Sequence, residues 1–259
     1  MPMHPCKSWR ENKTERNFKI WRGDSRQGEF KNYSVQLEQG MVVLDAIHIV
    51  QVEHANDLAV RWNCKAGKCG SCSMEINGKP KLACMTRLSD YADDELISIQ
   101  PMKTFPIIKD LVTDISWNYE QNKKILPLKL RKAENNGKPR MYQQDVERIQ
   151  EFRKCIECYL CQDVCHVLRD QGQKEKFVGP RFMIRLASLE MHPLDVEDRI
   201  PQIKAEFGSG MCNITRCCTE VCPEHIQITD NGIIPLKERV VDRFYDPVMW
   251  IYNKLFGDS

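Results

Sequence analysis

The chain has 259 residues, enough for one large domain or two small ones, and its net charge of +2 is too balanced for a general polyanion-binding role, so no nucleic-acid partner is expected. Thirteen cysteines, an odd number, in a chain of this length without a signal-peptide apolar core argue against a disulfide scaffold and for a reducing, cytosolic compartment with metal-bound thiolates. No run of roughly twenty apolar residues is present, so the chain is not expected to span a membrane.

Residues 1–16 read as a flexible lead, with Cys6 a free thiol. Asn17–Arg22 and Tyr33–Leu37 read as strands, joined by the turn-rich stretch Gly23–Gly28. Val42–Val52 reads as a helix, with Val43, Ile47 and Val50 on one face. Cys64, Cys69 and Cys72 then follow in C-x4-C-x2-C spacing, with Cys84 further on. This is the plant-type arrangement for a [2Fe-2S] cluster. Gly67 and Gly70 fit a loop that wraps closely and turns its N–H groups toward sulfur. A hairpin is expected next, from Ser73–Ile76 through Asn77-Gly78 to Lys81–Met85. Leu96–Gln100 is a closing strand, stopped by Pro101. Together these elements indicate a β-grasp ferredoxin domain over 17–118.

Residues 119–142 read as a basic connector, broken at Asn135–Pro139. It is either a solvated linker, the reading favoured for charge runs, or a docking surface. The rest, 143–259, is expected to be mostly helical. Helices are expected at Asp145–Phe152, from Pro180 with Phe182, Leu186 and Leu189 on one stripe, at Val196–Phe207 with an interruption near Pro201, and from Pro235 to Phe244. The aromatic C-terminus, Val248–Phe256, suits either a lipid or membrane-partner contact or packing on its own domain.

Two cysteine runs dominate this second half. Cys155, Cys158, Cys161 and Cys165 have the C-x2-C-x2-C-x3-C spacing of bacterial-type ferredoxins, in which the fourth cysteine serves a second cluster. Cys212, Thr215, Cys218 and Cys222 repeat that spacing, with Pro223 after the last cysteine and threonine in the second place. The crossover rule assigns Cys155, Cys158, Cys161 and Cys222 to a [4Fe-4S] cluster. It leaves only Cys165, Cys212 and Cys218 for the other, so that cluster is expected to be [3Fe-4S], because a threonine hydroxyl is a poor substitute for thiolate on iron. Structural zinc prefers separated cysteine pairs and fits these runs badly. Cys217, out of register, reads as a buried spare thiol.

A plant-type [2Fe-2S] domain followed by an α-helical ferredoxin with a defective second run resembles the iron–sulfur subunit of succinate dehydrogenase and fumarate reductase. The resemblance covers roughly residues 17 to 245, and Cys155–Asp170 and Cys212–Asp230 look most like the actinobacterial-type members. It implies an α+β fold: an N-terminal β-grasp plant-type ferredoxin domain followed by an α-helical bacterial-type ferredoxin domain. It also implies a flavoprotein partner with FAD, one or more membrane-anchor subunits, quinone at the interface, and a peripheral position on the cytoplasmic face of the bacterial inner membrane. FAD and quinone would belong to the complex and not to this chain, which would carry no catalytic residue. Electrons would run from flavin through [2Fe-2S], [4Fe-4S] and [3Fe-4S] to quinone, or in reverse for fumarate reduction. Family members usually have proline where this chain has His166, and the ubiquinone-reducing members have tryptophan and histidine where it has Asp170 and Asn213. His166, beside Cys165, is a candidate for protonating quinone, although a histidine capping local backbone is the preferred reading. Lys65 and Lys68 are expected to lift the first cluster above the about −400 mV of soluble plant-type ferredoxins. The alternatives are a soluble multi-cluster ferredoxin and the iron–sulfur subunit of another flavin-linked dehydrogenase.

Overall fold

The structure, a computed structural model, describes residues 14–132 and 139–248. Cys6, the Asn135–Gly137 breaker and most of the aromatic C-terminus lie outside them. The chain divides into two compact units, Met1–Asp114 and Ile115–Ser259.

The first unit opens with strands β1 (Thr14–Gly23) and β2 (Gly28–Leu37) in one long antiparallel hairpin, from Thr14↔Leu37 to Gly23↔Gly28. Both strands are longer than expected. The added residues Gly28–Asn32 are all exposed, so no buried apolar period marks them, while the buried face of the hairpin holds Phe18, Ile20, Val35 and Leu37. Helix α1 (Val43–Glu53) turns Val43, Leu44, Ile47 and Val50 inward, and Asp45 accepts the Val42 N–H at 3.1 Å to close its first turn. Strands β3 (Ser73–Ile76), β4 (Lys79–Leu82) and β5 (Ile97–Gln100) complete a sheet in the order β2-β1-β5-β3-β4, with β5 parallel to β1. The second hairpin strand ends at Leu82 rather than Met85, because Ala83–Met85 turn away to present Cys84. A small hairpin, β6 (Ile107–Lys109) and β7 (Val112–Thr113), closes the unit. The cluster loop is the segment between α1 and β3.

The second unit starts earlier than expected. Helix α2 (Ser116–Lys124) buries Asn118 and Gln121. The carbonyls of Leu126 and Pro127 accept from the Arg199 guanidinium at 2.9 and 2.6 Å, and Leu130 pairs with Asp195. The described part of the expected connector therefore includes packed structure. Helix α3 (Gln143–Gln150) runs into a 3-10 turn, Glu151–Lys154, which delivers Cys155. Helices α4 (Leu160–Asp163) and α5 (His166–Arg169) are single turns inside and after the first cysteine run. The core helix is α6 (Pro180–Glu190), with Phe182, Met183, Ile184, Leu186 and Ala187 buried. Gly179 precedes it at φ +86, and a Cβ there would lie 2.0 Å from Gln162 Oε1. That contact explains the glycine, since Gln162 is itself buried and donates to the Val178 carbonyl at 2.9 Å.

The helix expected at Val196–Phe207 is shorter, α7 (Ile200–Ala205). Proline lacks an N–H and clashes with the preceding turn inside a helix, so Pro201 sits in the first turn and the helix starts just before it. Helix α8 (Cys217–Glu220) lies in the second cysteine run. A π-helical segment, Ile228–Ile233, continues into α9 (Ile234–Phe244), which buries Leu236 and Val240. Arg199 is fully buried among Asp195 (3.0 Å), Glu190 (3.6 Å) and the Glu197 carbonyl (3.2 Å).

Candidate iron–sulfur centres

The loop of the first unit is shaped to bring its thiols under backbone donors. Lys65, Gly67 and Gly70 take left-handed conformations, at φ 54, 66 and 69. This alternation turns successive N–H groups into a concave anion nest. The Ala66 and Lys68 N–H groups donate to Cys64 Sγ at 3.4 and 3.3 Å. Gly67 N–H donates to Cys84 Sγ at 3.3 Å. Ser71 and Cys84 N–H donate to Cys69 and Cys72 Sγ, each at 3.5 Å. Every expected ligand of this group thus accepts a backbone hydrogen bond, the environment that holds thiolates on iron. Donation from Ala66, then Lys68, pulls the Cys64 thiol down to about 6, and burial pushes Cys72 up to about 12. Cys72 and Cys84 are buried, and Cys64 and Cys69 half-buried. Lys65 extends its ammonium over the Trp62 ring, 5.0 Å from the centroid.

In the second unit the two cysteine runs have the same backbone. Glu157 and Tyr159, two and four residues after Cys155, are left-handed at φ 56 and 61. Ile214 and Arg216, two and four residues after Cys212, are left-handed at φ 61 and 64. Each run then enters a single helical turn, α4 or α8. None of these four residues is glycine, and for the β-branched Ile214 the conformation is a genuine outlier. Strain of this kind persists where the surroundings over-determine it.

The runs interleave around two cavities. One is lined by Cys155, Cys158, Cys161 and Cys222, together with Arg181 and apolar Ile184, Ile226 and Ile228. The other is lined by Cys165, Cys212 and Cys218, with His166, Thr215, Cys217 and Thr229. The fourth cysteine of each run has crossed to the other run's cavity. Burial pushes Cys158 up to about 12, Cys218 up to about 12 and Cys165 up to about 11, and holds Cys161 well above the usual thiol range. Thiols so buried ionise only against a compensating positive charge, which metal supplies. The donor sets, the nests and the burial fit iron–sulfur clusters, with Cys64, Cys69, Cys72 and Cys84 for one, and the two cavity sets for the others. Among the described residues every cysteine is free of disulfide bonding.

Four placements were not legible from spacing. Cys217 is half-buried rather than buried, and its Sγ lies 3.3 Å from Thr215 Oγ1 within the second cavity. His166 heads α5 and lines that cavity, with its Nε2 buried and without a hydrogen-bond partner. Arg181 lines the first cavity, and only an alignment of α6 against the cysteine run would have located it. Thr229 Oγ1 lies 3.5 Å from Cys218 Sγ, although the two are far apart in the cysteine spacing.

Two domain families match the chain: a 2Fe-2S iron-sulfur cluster binding domain over residues 17–120 and a 4Fe-4S dicluster domain over 151–226. The fumarate reductase iron-sulfur subunit of Mycobacterium tuberculosis is 32% identical over 202 residues, covering 76% of this chain and 80% of that one. Its Escherichia coli counterpart is 30% identical, covering 75% and 79%. An uncharacterized iron-sulfur protein of Methanococcus maripaludis is 32% identical over 84% of this chain, which spans only 42% of that protein's length. Among solved structures, a chain of the Mycobacterium smegmatis Sdh1 complex in the apo form superposes with a TM-score of 0.89 at 57% identity, covering 92% of this chain and all of that one.

Proposed function

This chain belongs to the iron–sulfur subunits of the succinate dehydrogenase and fumarate reductase family, and from that premise we propose that it conducts electrons between the flavin of a partner subunit and quinone at a membrane anchor. When bound, the clusters supply one-electron acceptor sites in series. The rest is done by this chain's residues. The loop 64–72 aims N–H groups at sulfur, and the cavity around Cys155, Cys158, Cys161 and Cys222 excludes water with Ile184, Ile226 and Ile228. The observation that carries the reading is the crossover, in which Cys222 joins the first run's cavity and Cys165 the second's.

The third site is proposed as [3Fe-4S], with Cys165, Cys212 and Cys218 as its ligands, since Thr215 fills the remaining position. His166 is proposed to lie on the quinone side, where its buried, unpartnered Nε2 is left for a group of another molecule. Among the described residues no helix is long and apolar enough to cross a membrane. A peripheral position on the cytoplasmic face, held by an anchor subunit, follows from this reading.

The Sdh1 likeness at 57% identity supports succinate oxidation, and the names of the M. tuberculosis and E. coli relatives support the reverse, fumarate-reducing direction as the second reading. Purification of the chain from gently solubilised membranes tests the assignment. It is expected to bring down a flavin-containing subunit and small membrane subunits, with succinate reducing a soluble quinone. A chain that purifies alone and is reduced only by diffusible carriers would contradict it.

A further inference from the structure

Arg181 is placed against its own preferences. It is 6% exposed, so its charge is almost wholly removed from water. It is the second residue of α6, the end at which the helix dipole is positive and disfavours a cation. Its Nε is buried without a hydrogen-bond partner. Its one carboxylate partner, Glu157, is bound through the other end of the guanidinium and is itself half in solvent. The Phe182 ring lies 5.8 Å from the guanidinium carbon. These terms leave a buried cation under-compensated, which is costly unless further negative charge lies nearby. The cavity that Arg181 lines holds Cys155, Cys158, Cys161 and Cys222. The second cavity has no counterpart: its arginine, Arg216, is 60% exposed and paired with Asp230.

We propose that Arg181 is a positioning and potential-setting residue for the four-iron site, and that Glu157 trims its effect. The inference rests on the cysteine assignment above. The site takes up one electron at a time, from the flavoprotein in the complex or from a mediated reductant in a titration. No proton or leaving group accompanies it. Each uptake adds one negative charge to a centre already carrying four thiolates, and a permanently charged guanidinium beside it in a dry cavity stabilises the reduced state more than the oxidised one. Arg181 therefore raises the reduction potential. Glu157, the opposite charge on the same guanidinium, lowers it, and less strongly because it is solvated.

The test is an EPR-monitored redox titration of the assembled complex. Arg181→Gln is expected to lower the reduced-to-oxidised ratio of the four-iron centre at least tenfold at fixed ambient potential, which for one electron corresponds to about 59 mV. Arg181→Lys is expected to keep most of the wild-type ratio. Glu157→Gln, at a half-exposed position, is expected to raise the ratio several-fold. The other two centres, titrated in the same samples, are expected not to move. Equal ratios in all variants, or a shift of the same sign in Arg181→Gln and Glu157→Gln, would overturn the proposal. If Arg181→Gln fails to assemble, Glu157→Gln alone decides it, a rise supporting it and no change overturning it. A wild-type complex with no four-iron signal would overturn the cysteine assignment and the inference together.

Discussion

Thr215 presents a hydroxyl where the first run presents Cys158, on a backbone that is otherwise repeated: Ile214 and Arg216 copy the left-handed conformations of Glu157 and Tyr159. Only the thiolate is missing from this arrangement. Thr215→Cys is accordingly expected to convert the proposed three-iron centre to a four-iron one, read as loss of the oxidised-state EPR signal and a gain of one iron per chain. Cys217→Ser is expected to leave the three-iron signal in place, since Cys217 stands one residue out of the ligand register and contacts Thr215 rather than replacing it. The grouping of the cysteines around two cavities was legible because cluster chemistry fixes the spacing of such runs. The left-handed residues were not, because isoleucine, tyrosine, glutamate and arginine carry no preference for that conformation. Thr229 was also hidden, being brought to Cys218 by the π-helical segment and not by proximity in the chain.

At the scale of elements, α1 and the strands of the first sheet could be read because their apolar residues repeat at 3.6 or 2. The elements that were missed or misjudged lack such a repeat. Helix α2 exposes most of its surface and is held through buried Asn118, whose Oδ1 lies 3.3 Å from Gln162 Nε2. Helices α4, α5 and α8 are one turn long and are shaped by the cysteines around them. The start of α7 is set by Pro201, and Arg199 just before it closes a network with Asp195, Glu190 and the Leu126 and Pro127 carbonyls. Arg199→Met would leave those carboxylates buried without their cation, a loss on the order of 3–5 kcal/mol, visible as a lowered thermal midpoint. Gly179→Ala is expected to destabilise by about 2 kcal/mol or more, from the left-handed φ together with the approach of Gln162 Oε1, measured the same way.

The two units owe their folding to different sources. The first has a five-stranded sheet gripping α1, with Phe18, Ile20, Ile47, Ile97 and Ile99 fully buried. Its cluster loop is an edge feature on a core that stands by apolar burial. The second buries α6 and Phe207, yet its one-turn helices are too short to be stable by themselves, and they lie within the two cysteine runs. Stripping iron with a chelator under anaerobic reducing conditions is therefore expected to leave amide-exchange protection in α1 and β1 while abolishing it around α4, α5 and α8. Equal loss in both units would show that the first core also depends on metal. The central claim, that the interleaved runs hold one four-iron and one three-iron centre beside a separate [2Fe-2S] loop, is tested most directly by EPR of the intact protein, as isolated and after dithionite reduction. A three-iron signal in the oxidised sample and a [2Fe-2S] signal on reduction is the predicted result. An oxidised sample without that signal, giving two interacting four-iron centres on reduction, would contradict it and make Cys217 or another group the fourth ligand.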